Sequence, residues 1–462
     1  MTANHLLFAN AANRLLVGYL LVLIATPIVA LAPTRSHLPS YRYGSRSQHL
    51  QSSTALMGSS DRASGKTSVG TSTRAPPRTG FAQTLLNIAL ESPLWKLVLV
   101  PQARANIVQT AEANQIPWTA AKKWIESQTS IAEMEDELQR QASSSSSFST
   151  PTYYRKSFHA YETGNLSWEA AFEVELASAA VGARNFPEYG ARGEEAFRGA
   201  FEAALIEGGA NVPTKGGGTI GGDDPIRIID FGCGTGMSTR RLAKNFPQAD
   251  SIIGVDLSPY FVSIGKKLLE LTPTSFHEGG PWVSTVESDP RIRYLVGDAA
   301  KTSKLEELGG IEGSAAVVNL QFVLHELPAD AARDMIDEAF QLLKPNGQLW
   351  ICEMDFEAPA YAAQRANPLL FSLIRSTEPY LDDYAESITD LLSYIQSKFQ
   401  HVKVLPATGR HFALVATKGT SDNSSTSKTQ NIMEDLRFDE DGRYRVEDTH
   451  LPTFKRQSTT KI

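Results

Sequence analysis

The stretch IIDFGCGTGMSTRRL, residues 228–242, enters on an apolar run and leaves on a helix-like run, with Gly232, Gly234 and Gly236 at alternate positions between them. A strand that ends in a glycine turn and feeds a helix lets a ligand approach the backbone, and the helix N-terminus offers it free N–H groups. The spacing sorts the ligand classes. A dinucleotide fingerprint needs G-x-G-x-x-G. Counted from Gly232 the third glycine would stand at Met237, and counted from Gly234 at Thr239, so that fingerprint fails. No Gly-Lys-Ser/Thr follows, so a P-loop fails too. What is present is D-x-G-x-G-x-G, from Asp230 to Gly236.

Around this loop, short apolar runs alternate with amphipathic ones. IRIIDF, SIIGVDL, RIRYLVGDA, AAVVNLQF and GQLWICEMD read as strands. STRRLAKNF, PYFVSIGKKLLEL and ADAARDMIDEAFQLL read as the helices between them. Strands alternating with helices predict a parallel sheet covered on both faces. The end differs: HVKVLPA and HFALVATK are separated only by TGR, so they form an antiparallel hairpin. The expected fold is α/β, a three-layer doubly wound sheet over 225–418, mostly parallel with a C-terminal antiparallel hairpin. Before it lies a helical extension, residues 81–207, cut by Pro93, Pro101 and Pro117 and broken at SSSSSFSTP. FHAYETGNLSWEAAFEVELASAAVGARNF reads as its second helical block, and a glycine-rich linker or loop, 208–224, separates it from the sheet.

The D-x-G-x-G-x-G segment resembles the first motif of class I S-adenosylmethionine-dependent methyltransferases, which have a Rossmann-like fold. The resemblance continues in order. GVDLS puts Asp256, followed by Leu257, where that family binds the ribose hydroxyls. VGDA puts Asp298 and Ala299 where it reads the adenine amino group. VVNLQFVLHEL, with Asn319 and Leu320, looks like the segment whose carbonyls face the methionine ammonium. LKPNGQLWICE looks like the turn into the fifth strand, with Asn346-Gly347 in place of the commoner Gly-Gly. The resemblance covers about residues 160–418. It implies S-adenosyl-L-methionine as cofactor, with Asp230, Gly232, Cys233, Gly234, Gly236, Asp256, Leu257, Asp298, Ala299, Asn319 and Leu320 around it. Loop N–H groups suit the methionine carboxylate, and Asp230 suits its ammonium directly or through water.

The methyl acceptor implied is a small, lipophilic metabolite methylated on O, N or C. Protein methylation, or a non-catalytic partner that keeps the fold, are the alternatives. The fourth strand ends in NLQF, without the NPP-type tetrapeptide found in families that methylate amide or exocyclic nitrogens. Catalytic candidates are His325 and Glu326, as an acid–base pair after the fourth strand, and Tyr161. Their structural alternative is a helix start, with His325 packed or capped. Tyr161 belongs to an aromatic set, Tyr153, Tyr154, Phe158, His159, Tyr161 and Trp168, which reads as a lid with Tyr161 or His159 toward the methyl group, or as an ordinary helical core. The run 366–392, with Tyr380 and Tyr384, is a further acceptor-side helix or a sheet cover.

Charge narrows the partners. Residues 1–80 hold eight of the 44 Lys/Arg and one of the 51 Asp/Glu, leaving 36 against 50 and a balance of −14 for the remainder. So acidic a body argues against nucleic acid as partner. Two cysteines, Cys233 and Cys352, make no disulfide framework and no metal-ligand pattern, which fits a reducing compartment and no metal. At the N-terminus, RLLVGYLLVLIATPIVALAP reads as a signal-like segment ending near residue 30. A Ser- and Arg-rich, transit-like segment follows to residue 80. The pair resembles the two-part plastid address of algae with complex plastids, with Leu31 where an aromatic is usual. The alternative is an uncleaved anchor over residues 15–32, the one expected route to membrane contact. Residues 419–462 read as a flexible tail with a hairpin about Asp441-Gly442.

Overall fold

Successive residues of the central strand point into opposite cores. Ile228 packs with Ile252, Val317 and Trp350, whereas Ile229 packs with Ile253, Val318 and Leu349. Two cores on either side of one sheet are what near-continuous Val/Ile strands require. The computed structural model describes residues 100–144, 149–159, 161–211, 225–271, 282, 288–356, 358, 361 and 377–420. The signal-like and transit-like segments, the start of the extension, most of the glycine-rich linker, residues 366–376 and the tail from 421 lie outside them. Among the described residues no helix is long and apolar enough to cross a membrane.

The strands are β1 (Arg227–Phe231), β2 (Ser251–Asp256), β3 (Ile292–Val296), β4 (Ala315–Gln321), β5 (Leu343–Met354), β6 (His401–Thr408) and β7 (His411–Thr417). They form one seven-stranded sheet in the order β3-β2-β1-β4-β5-β7-β6. The first five are parallel, and β7 runs antiparallel between β5 and β6. This is the expected three-layer architecture with its closing hairpin. Strand order reverses between β1 and β4, and the crevice beyond the carboxyl ends of those strands is where open α/β sheets bind ligands.

Among the described residues, five α-helices precede the sheet: α1 (Val100–Ala113), α2 (Trp118–Ser127), α3 (Ile131–Ser144), α4 (Trp168–Asn185) and α5 (Gly193–Glu207). Within the sheet domain follow α6 (Met237–Asn245), α7 (Pro259–Glu270), α8 (Ala329–Leu342) and α9 (Leu381–Lys398). Helices α8 and α9 cover one face, α5 and α6 the other. Helix α4 packs Phe172 against Phe261, Ile264 and Leu268 of α7, so the extension shares a core with the sheet domain.

The second helical block starts later than its composition predicts. Residues 158–159 and 161–167 form a strap instead, closed by a bridge between Phe158 and Tyr161 and by Gly164 at a left-handed φ of 58°. Helix begins only where the Ser167 hydroxyl accepts from the Ala170 N–H. Further along α4, Gly182 lies so close to α5 that a Cβ there would fall on the Cα of Glu194. Gly182→Ala must push two helices apart in a shared core, at a cost of about 1–3 kcal/mol. Thermal unfolding of this variant is expected several degrees below the parent, and an unchanged midpoint would refute the close crossing.

Candidate active site

The glycine loop leaves β1 with Gly232, Gly234 and Gly236 all at left-handed φ, +63°, +56° and +95°. A Cβ at Gly236 would collide with the Tyr294 ring, while one at Gly234 would meet only open space. The loop is therefore pressed onto the sheet at one glycine and bare to the crevice at another.

Two buried carboxylates hold it. Asp230 accepts from the Ser238 and Thr239 hydroxyls at 2.6 Å each, and from Asn319 Nδ2 at 2.7 Å. Burial pushes its carboxyl up, against those three donors. The expected contact of Asp230 with the methionine ammonium thus competes with three protein donors, which tie β1, α6 and β4 together. Asp256 accepts the Gly234 N–H at 2.8 Å and the Ser258 N–H at 2.7 Å, and the Tyr154 hydroxyl lies 3.4 Å from its Oδ1. Burial outweighs these donors and raises Asp256 to about 6. Leu257 beside it is buried, and Leu320 of β4 is buried in the core under α8.

At the end of β3, Asp298 accepts from the Ala300 N–H and pairs with Lys301, both at 3.0 Å, and Ala299 is buried below. A cavity of about 300 Å³ opens between Tyr153, Asp298 and α8. The Cys233 side chain turns away from the crevice toward Gly254 and Tyr294, and burial pushes its thiol well up, so it is a small, unreactive filler. The structure thus gathers Asp230, the glycines, Asp256 and Asn319 at the ends of β1, β2 and β4, with Asp298 one strand further out.

The acceptor-side candidates separate. Val323 packs on Gly232, which brings the loop after β4 against the glycine loop. The next three residues make a single 3-10 turn, Leu324–Glu326. His325 Nδ1 lies 2.9 Å from Glu353 Oε1, and Glu353 Oε2 accepts the Leu324 N–H at 3.0 Å. Burial disfavours the charged imidazole, but the fully buried Glu353 overrides it and pushes His325 up to about 10. His325 is therefore an imidazolium at neutral pH.

Glu326 sits apart from that pair, with Asn165 Nδ2 at 3.3 Å and His159 Nε2 at 3.9 Å. Burial raises it to about 7, against the pull of His159 and His325. His159 itself lies 3.0 Å from Glu378. Tyr161 is elsewhere: its hydroxyl donates to Glu173 at 2.6 Å and its ring lies under Arg104, making it a strut of the extension. Sequence reasoning missed Glu353 and Glu378, and named Tyr154 without a role. A glutamate inside the apolar strand run LWICEM was the available signal, because a carboxylate in a buried strand needs a partner.

The topology and the crevice define a class I methyltransferase domain. Residues 229–351 match the family described as "Methyltransferase domain". Over 127 residues the chain is 31% identical to malonyl-[acyl-carrier protein] O-methyltransferase of Halalkalibacterium halodurans, covering 28% of this chain and 38% of that relative. Over 209 residues it is 25% identical to trans-aconitate 2-methyltransferase of Acidovorax ebreus, covering 38% of this chain and 78% of that one. An O-methyltransferase family protein of Burkholderia thailandensis aligns in structure with a TM-score of 0.35 at 17% identity, over 56% of this chain and 64% of that one. The sheet domain is thus similar to the class I S-adenosylmethionine-dependent methyltransferases, with residues 229–351, β1 through most of β5, inside the matched segment. S-adenosyl-L-methionine is the cofactor of that family, and the residues present fit it: an open, left-handed glycine turn stands beside an acceptor carboxylate, Asp256, at the switch point of the sheet.

The His325–Glu353 pair has a pH signature. A histidine raised from 6.5 to about 10 contributes stability that is full below about pH 6.5 and lost as pH rises through about 10. Thermal unfolding from pH 6 to 11 is expected to show an alkaline loss that His325→Gln removes. Parallel curves for the two proteins would rule out the pair.

Proposed function

We propose that this protein transfers a methyl group from S-adenosyl-L-methionine to a protic oxygen or nitrogen of a small molecule, with Glu326 taking the proton. The carrying observation is Glu326 itself. It is a carboxyl raised by burial to about 7, on the turn that directly follows Val323, the residue packed against the glycine loop. A base works best when its pKa lies near the working pH.

When bound, the cofactor supplies an already activated methyl group, so the chain's task is alignment, exclusion of water and proton management. N–H groups of the glycine loop and the end of β4 would hold the amino-acid end, and Asp256 the ribose. The His325–Glu353 pair holds the Leu324–Glu326 turn in place, since Glu353 grips both the imidazole and the Leu324 N–H. Asn165 and His159 orient the Glu326 carboxylate from the strap.

A second reading, methylation of a carboxylate, draws on the two relatives named for malonyl and trans-aconitate acceptors. A carboxylate is ionised at neutral pH and needs no base. The two readings part on one profile. With a protic acceptor, kcat rises with pH through about 7 as Glu326 ionises. Glu326→Gln then loses about 10²–10⁴-fold together with that limb. With a carboxylate acceptor the variant keeps its rate and the profile is flat there. The cofactor site is checked first, by calorimetric titration of S-adenosyl-L-methionine into the wild type and Asp256→Ala. Binding lost in the variant supports the assignment, and no heat with the folded wild type defeats it.

A further inference from the structure

The described residues place one more carboxylate at the cofactor loop, and it comes from the extension. Glu175 of α4 is 1% exposed, in a helix stretch, AAFEVELA, that is otherwise apolar apart from Glu173. It accepts from Arg240 Nη2 at 2.8 and 2.9 Å on its two oxygens, from the Thr235 hydroxyl at 2.8 Å and from Trp282 Nε1 at 3.2 Å. Arg240 Nη1 donates in turn to the Thr235 carbonyl at 2.9 Å. Thr235 is the residue between Gly234 and Gly236, and it is 2% exposed. Its hydroxyl and its carbonyl are thus gripped by the two halves of one ion pair.

Docking a helix would need only the Glu175–Arg240 pair. The contacts to Thr235 do something else. Glycines on both sides leave the loop with more backbone freedom than any other residue type would, and a loop must be held in its binding geometry before the ligand arrives if affinity is not to be lost to ordering it. We infer that Glu175 is a positioning residue for the cofactor loop, so that docking of the extension and cofactor binding are thermodynamically linked. The inference rests on the proposed cofactor. Linkage is reciprocal: if the docked extension favours the binding form of the loop, the cofactor must favour the docked extension by the same factor.

Thr235 allows the test without stripping the buried charges of their partners. Full-length wild type, Thr235→Val and Thr235→Ser are compared by calorimetric titration with S-adenosyl-L-methionine, by thermal unfolding and by hydrogen exchange. Valine removes the hydroxyl but leaves Glu175 and Arg240 paired, and serine restores the donor. The expected result is binding weakened about tenfold in Thr235→Val, as for loss of one hydrogen bond to a charged group, and within about twofold of wild type in Thr235→Ser. Cofactor should also slow amide exchange in α4 of the wild type. Equal affinity in all three proteins, equal weakening in both variants, or α4 exchange indifferent to cofactor overturns the inference. Should the wild type bind no cofactor, the proposed function falls. Exchange of the loop amides at 234–238 without cofactor still decides the positioning role: it is faster in Thr235→Val but not in Thr235→Ser if Glu175 holds the loop, and alike in all three if it does not.

Discussion

Everything at the crevice depends on burying carboxylates under the glycine loop without leaving them short of donors. Desolvating a carboxylate costs several kcal/mol even after relaxation. A hydrogen bond to a charged group returns about 1.5–3 kcal/mol. Against that margin one donor is too few and three are about enough. Asp230 has three, from Ser238, Thr239 and Asn319, and Asp256 has two backbone N–H groups with the Tyr154 hydroxyl nearby. Apart from Ser258 in the turn that Asp256 itself begins, the donors come from α6, β4, the glycine loop and the turn holding Tyr154, ahead of the strap. Satisfying the charges therefore fixes where those four elements lie, and the loop's shape follows from electrostatic necessity more than from apolar packing.

The same balance explains why the extension belongs with the sheet. Its helix α4 carries two buried glutamates that it cannot satisfy alone. Glu173 draws Arg104 of α1, Lys122 of α2 and the Tyr161 hydroxyl, at 2.6, 2.7 and 2.6 Å. Glu175 draws Arg240 and Thr235 from the sheet domain. One acid binds the extension to itself and the other binds it to the cofactor loop. The apolar contacts of Phe172 with α7 add area, but they carry no direction, whereas Arg240, with Nη2 on both Glu175 oxygens and Nη1 on the Thr235 carbonyl, sets the helix's place along the loop.

Much of this was legible in the chain, and the boundary has a physical cause. The strands, the helices between them and the closing hairpin follow from periodicity, because an element's face is written in its own consecutive residues. The glycines and Asp256 follow from local spacing, since the loop is one contiguous turn. Glu353 and Glu378 are different. Their partners, His325 and His159, stand 28 and 219 positions away, and no local period records such a pairing. The strap escapes a reading by composition for a related reason. FHAYETGNLSW has the composition of a helix start, but its Gly164 takes a left-handed turn and Ser167 caps the helix that follows. Only the oddity of an acid in an apolar run, LWICEM or AAFEVELA, pointed beyond its own segment.

The arrangement of charges across the crevice also separates two kinds of acid. Asp230, Glu175 and Glu353 each face a full complement of donors supplied by the protein, and their work is to hold backbone in place. Glu326 has one amide at 3.3 Å and one imidazole at 3.9 Å, a weaker set for a carboxyl raised to about 7. A group left near the midpoint of its titration changes its proton at little cost, which is unhelpful in a strut and useful beside a reacting atom. His325 lies at the opposite extreme, raised to about 10 and locked to Glu353 by the geometry that makes it a good support and a poor base at neutral pH. Under the proposed function, adjacent residues on one turn divide positioning from proton transfer, and the division is set by how many donors each finds.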